Sequence, residues 1–200
     1  MTAAFGARGM FVRSDLSERG ETRAMDAIDV LVAQHRLIGG LFKKVELETD
    51  RRRLTNAVSR LAEELIAHLA AEETVFYPAL RQVLDDGCET GERSCDDHLA
   101  LRIELRRMLE ASVADTSFSG RIAGMRKLFE QHARHEEGEL FPRFAKVASK
   151  SHVQALGNEI VASRPPVWIV TTESRGPATA NAKAEWTLPS LVSLPIPARR

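Results

Sequence analysis

Cysteine is nearly missing from this chain. Cys88 and Cys95 are the only two, too few for a disulfide framework, which agrees with a reducing compartment. No apolar run approaches the ~20 residues that span a bilayer. The N-terminal stretch MTAAFGARGMFVRSDLSERG is broken by Arg and Gly before a signal-peptide core can develop. The expected compartment is therefore the cytoplasm, with no membrane partner. Net charge is absent too: Lys+Arg and Asp+Glu stand at 28 each, so no overall field draws the protein to nucleic acid. What is present is 44% apolar residues in a chain of 200, enough to bury one core of ordinary domain size.

Residues 1–23 carry no helical period and read as a flexible leader. The pattern then starts abruptly. Met25, Ile28, Leu31, His35, Ile38, Phe42 and Val45 recur at three- and four-residue steps, the stripe of an amphipathic helix whose buried side includes His35. Gly39 and Gly40 lie one turn on, where glycine lowers helix propensity. Close packing against a neighbouring helix is the preferred explanation, over room for a small ligand. A second stripe runs Leu54, Val58, Leu61, Leu65, His68, Glu72, Val75, Phe76, and Pro78 predicts a kink or end near Tyr77. DDGCETGERS is expected to be a loop, with Cys88 inside it and Cys95 at its end in the same connection, and the third helix is expected to start at Thr90 or Ser94 and to carry His98, Leu101, Leu105 and Met108. Asp115, Thr116 and Ser119 offer caps for a fourth helix with Ile122, Met125, Phe129, His132, Glu136 and Leu140.

Short connections between four such helices predict an all-α, up-down-up-down antiparallel four-helix bundle over residues 24–150. From Ser151 the period fades, and residues 151–200 are expected to be a mostly irregular, proline-containing tail. Within it VWIVTT, the only strand-like piece, is expected to pack on the bundle or stay mobile rather than form a sheet; its function is not readable, and a protein partner, if there is one, is expected to engage this tail.

One cassette is written twice. HLAAEETVFYP begins at His68 and HARHEEGELFP at His132; each reads His, Glu at +4, Glu at +5, an aromatic at +9 and Pro at +10. A His and a Glu four apart lie along one side of an α-helix, so each cassette offers an imidazole and a carboxylate to one target. A further His precedes each, His35 by 33 residues and His98 by 34. The chain thus looks like a duplicated two-helix unit. The inward positions collect His35, His68, Glu72, His98, His132 and Glu136. Imidazole and carboxylate suit iron, manganese and zinc, and the lack of cysteine in the set argues against a structural zinc site. Six side chains suit two metals better than one, with a carboxylate from each cassette as bridge.

On these residues, together with Glu73, Pro78, Glu137 and Pro142, the chain resembles the hemerythrin-like proteins of the HHE cation-binding family over roughly residues 25–147. The resemblance implies a four-helix bundle holding two non-haem iron ions, oxo- or hydroxo-bridged, that meet O2, peroxide or nitric oxide in oxidative-stress response, sensing or iron handling. The same ligand set also accepts zinc or manganese. Oxygen-carrying hemerythrins place a second His four residues after the third helix's His, and this chain has Arg102 there. Simple reversible O2 carriage is thereby disfavoured, and Glu73, Glu137, His135, Tyr77 or water stand as replacements. Tyr77 is the only tyrosine, and on a straight helix it would point about 180° away from His68. The ferritin-like di-iron class, with Glu preceding His by three, fits the order and spacing less well. Two alternatives remain: a di-iron enzyme that disproportionates peroxide, and a metal-free helical interaction module.

Overall fold

The computed structural model describes residues 25–111 and 113–163, and every regular element among them is helical. The leader 1–23 and VWIVTT, with the rest of the tail beyond residue 163, lie outside the described residues. Helix α1 (Ala27–Leu47) begins where the Asp26 carboxylate accepts the Asp29 backbone N–H at 3.0 Å, and α2 (Arg51–Ala71) where Asp50 accepts that of Arg53 at 2.8 Å. The α1 stripe is displaced slightly from its expected start: Met25 precedes the helix and is exposed, while Ala27 and Val30 join Leu31, His35, Ile38, Phe42 and Val45 inside.

Past Ala71 the helix does not stop. Glu72–Phe76 form one π-helical turn, and α3 (Tyr77–Val83) follows directly. The same happens after α5 (Phe118–His135), where the π turn Glu136–Leu140 leads into α6 (Phe141–Val147). Pro78 and Pro142 sit in the first turn of α3 and α6. Proline has no N–H to give the ladder, and its ring collides with the carbonyl four residues back. The wider i→i+5 turn relieves that collision, and the N–H groups of Tyr77 and Phe141 reach the carbonyls of Glu72 and Glu136 instead. The expected kink is therefore a π turn, and it falls on both cassettes.

Three expectations need correction. The segment DDGCETGERS is mostly helix, because α4 (Gly87–Glu110) starts at Gly87 and not at Thr90 or Ser94. Its first glycine is there for close approach: a Cβ on Gly87 would sit 2.7 Å from the Arg81 Cα and from the Leu80 carbonyl oxygen in α3. Cys88 and Cys95 consequently ride on a helix, seven residues or about 10 Å apart along its axis, too far to bridge each other. Finally, the helical region continues past Ser151. In α7 (Lys150–Ala162) the Ser149 hydroxyl accepts the His152 N–H at 3.2 Å, and Val153, Leu156 and Ile160 are buried on a face that packs against α1.

Two groups of core residues flank the metal-ligand types. One holds Ile38, Phe42, Leu61, Leu65, Leu101, Leu105, Ile122 and Phe129; the other Leu31, Phe76, Leu80, Phe141, Phe144, Leu156 and Ile160. On α1, His35 falls between Leu31 of the second group and Ile38 of the first. The polar cluster therefore lies at the seam between two apolar cores.

Candidate metal centre

Each of the six expected residues arrives at this seam from a different stretch of helix: His35 from α1, His68 from α2, His98 from α4, His132 from α5, and Glu72 and Glu136 from the first position of each π turn. All six are at most 4% exposed. Ligand atoms of His35, His68, Glu72, His132 and Glu136 all lie within 4.8 Å of one another. Nε2 of His68 is 3.3 Å from Glu72 Oε1, Nε2 of His35 is 3.3 Å from Glu136 Oε2, and Nε2 of His132 is 3.5 Å from both carboxylates. His98 closes the far side, its Nε2 3.1 Å from Glu72 Oε2. Each carboxylate thus stands between imidazoles of different helices.

The outer face of the cluster sets which ring nitrogen looks inward. Nδ1 of His35 donates to Glu137 at 2.8 Å, Nδ1 of His98 to Glu73 at 2.8 Å, and Nδ1 of His68 to Gln34 Oε1 at 3.0 Å. Donation from Nδ1 leaves the Nε2 lone pair free to coordinate, the arrangement seen around metal-binding histidines. The second Glu of each cassette therefore serves the lone His of another helix. Arg102 does not enter the cluster: its guanidinium holds Glu73 with both arms, at 2.6 and 2.9 Å.

Tyr77 is where sequence geometry and structure part most. On a straight helix it would face away, but the π turn swings it inward. It is fully buried, with its hydroxyl 2.8 Å from Glu136 Oε1, 3.0 Å from His98 Nε2 and 3.5 Å from Glu72 Oε2. His135, one of the expected replacements, lies apart and pairs with Glu139 at 3.5 Å; Glu64, paired with Arg60, and His152, which stands against Phe144, are also outside the cluster. Phe141 stacks on His35 at 5.9 Å, while Phe76 lies behind it against Phe141 at 5.3 Å. Two neighbours carried no signal in the sequence beyond helix pattern: Gln34, and Phe129, whose ring packs on His35, His68 and His132. Burial pushes the Cys95 thiol up, helped by the charge of Glu73, which does not favour a reactive thiolate.

The electrostatics are those of a crowded, dry site. Burial and the nearby Glu136 charge push the Glu72 carboxyl up to about 8. Glu136 feels the same burial but is held down to about 2 by the charge of His132 and by the close approach of His35 and Glu72. Burial and the charges of the other three imidazoles hold His68 well below its usual value. In His35 and His98 burial is outweighed by the carboxylates and both are raised, while Tyr77 is driven well above 10 by burial and by Glu72 and Glu136.

Whether a metal fits is decided by the atoms with no partner. Nε2 of His35, His68 and His132, with Oε1 of Glu72 and Oε2 of Glu136, are all buried and make no hydrogen bond. Such atoms cost about 1–3 kcal/mol each when left unsatisfied, and here they converge on one point. Nitrogen and oxygen donors of this kind suit a divalent or trivalent transition-metal ion. Helices that gather imidazoles and carboxylates in this way define a helical, metal-binding class of protein. The family model for the hemerythrin HHE cation binding domain matches residues 26–156, and the chain belongs to that family. A hemerythrin HHE cation binding domain-containing protein from Mycobacterium kansasii has a similar fold, with a TM-score of 0.62 and 21% identity over 69% of this chain and 84% of its own. A protein of Nostoc sp. (strain PCC 7120) named as a DNA nickase is 23% identical over 156 residues, which is 78% of this chain and 44% of that protein. The chain thus spans under half the length of that relative.

Proposed function

We propose that this protein holds two non-haem iron ions at the seam and uses them to bind O2 or to react with peroxide or nitric oxide, in oxidative-stress response, sensing or iron handling. The observation that carries the reading is the set of buried, unpartnered Nε2 and carboxylate oxygens within 4.8 Å of one another. In this reading Glu72, Glu136, His35, His68, His98 and His132 would hold the ions through their carboxylate oxygens and imidazole nitrogens. Tyr77 supplies the donor that Arg102, engaged with Glu73, does not. The helices α1, α2 with α3, α4, and α5 with α6 run up and down around the pair, as their short connections favour.

Bound there, iron supplies Lewis acidity and one-electron redox chemistry. The chain's own part is to orient and to exclude water. Glu137, Glu73 and Gln34 fix the ring tautomers, and Phe129 and Phe141 shut solvent from the imidazoles. Metal analysis after loading should give two iron atoms per chain and a ligand-to-iron charge-transfer band; a chain refolded with iron that retains none would sink the proposal.

A peroxide-disproportionating enzyme is the second reading, favoured by the tyrosine hydroxyl beside both carboxylates, a proton donor already placed within the site. O2 release from peroxide, compared between wild type and Glu72→Ala, separates turnover from binding or sensing.

A further inference from the structure

A site this closed must be reached from somewhere. Five of its six residues are at most 1% exposed, and His35, at 4%, is the sixth. His35 is also the one cluster member that lines a cleft of about 490 Å³ on the surface between α1 and α5, together with Phe129, Arg134, Glu137, Gly39 and Gly138. Its ring forms the floor: Nδ1 bonds to Glu137, which is 41% exposed, while Nε2 lies 3.3 Å from the buried Glu136. One imidazole separates solvent from the metal seam.

The two glycines make that cleft. Gly39 sits one turn past His35, and Gly138 two residues past Glu136. A Cβ built on either, or on Gly40, meets nothing within 4 Å, so the close packing expected from the sequence is not the reason they are glycine. Each lowers local helix stability by up to about 1 kcal/mol relative to alanine, and neither has a positive backbone angle or a tight neighbour that would require it. What their missing side chains leave is open space beside His35.

Resting on the metal reading above, we propose that this cleft is the entrance through which small ligands of two or three heavy atoms reach the metals, with Gly39 and Gly138 as its open walls and the His35–Glu137 pair as its floor. A Cβ on either glycine meets nothing within 4 Å, so a side chain added there fills open space in the passage. It therefore obstructs transit while leaving the destination unchanged.

Azide is the probe, followed by stopped-flow absorption on iron-loaded protein. Gly39→Leu and Gly138→Leu should slow association and dissociation alike, by about tenfold or more, with equilibrium affinity as in wild type. Gly124→Leu is the matched control: it too meets nothing within 4 Å, but it lines a separate cleft with Glu104 and Arg121 that contains no cluster residue. It should bind azide at the wild-type rate. Wall variants as fast as wild type overturn the entrance, as does a control slowed equally or an affinity that falls as far as the rate. Wild-type protein that takes up no metal overturns the metal reading and this one with it, an outcome distinct from a loaded protein whose wall variants are unimpeded.

Discussion

The hydroxyl of Tyr77 reaches oxygen and nitrogen atoms of three different helices, at 2.8 Å from Glu136, 3.0 Å from His98 and 3.5 Å from Glu72. Burial and the two carboxylates make its proton hard to lose in the metal-free protein. A metal ion at the same place would reverse that balance, since its positive charge would favour the phenolate. Iron-loaded wild type should then show a phenolate-to-iron charge-transfer band in the visible spectrum, and Tyr77→Phe should lose it while still loading iron. An unchanged spectrum in the variant would remove Tyr77 from the ligand set. Without metal, the same substitution leaves the Glu136 oxygen without its donor and should cost about 1–3 kcal/mol, readable by denaturant unfolding.

At the scale of the helices, the duplicated cassette was legible because its signal is short-range: His and Glu at i and i+4 share a helix face whatever the tertiary context. The π turns that follow were not legible as such. Pro78 announced a disturbance, but a kink, a stop and a π turn all relieve the same clash, and only the last brings Tyr77 inward. Glycine misled in two directions. In Gly87 it marked the close approach of two helices and not a loop; in Gly39 it marked space and not packing. The α7 helix was missed although Val153, Leu156 and Ile160 keep helical spacing, because Gly157 interrupts the stripe. That glycine is required: a Cβ on it would fall 2.6 Å from the Met25 carbonyl oxygen at the start of α1. Gly157→Ala must therefore push α7 off α1, and is expected to destabilise by about 1–3 kcal/mol. Hydrogen exchange should quicken first in the amides of residues 150–162; a variant with unaltered exchange there would show that α7 does not depend on this contact.

For the whole molecule, two apolar cores enclose six ionisable side chains, so protonation and metal occupancy together set stability. Above pH 6.5, the ordinary value for histidine, the unfolded chain has released the protons of its carboxylates and most of those of its imidazoles. The metal-free folded protein still holds protons there on Glu72, raised to about 8, and on His35 and His98, raised above 6.5. A state that binds more protons than the unfolded chain loses stability as pH rises. The metal-free protein should therefore melt at progressively lower temperature between about pH 6.5 and 8. Metal binding requires the same groups unprotonated, so affinity, and the stability it adds by mass action, grows over that window. The gap in melting temperature between loaded and metal-free protein should widen as pH rises from 6.5 to 8, with protons released on loading. A gap that stays constant or narrows would mean that the protons and the metal do not compete for the same atoms.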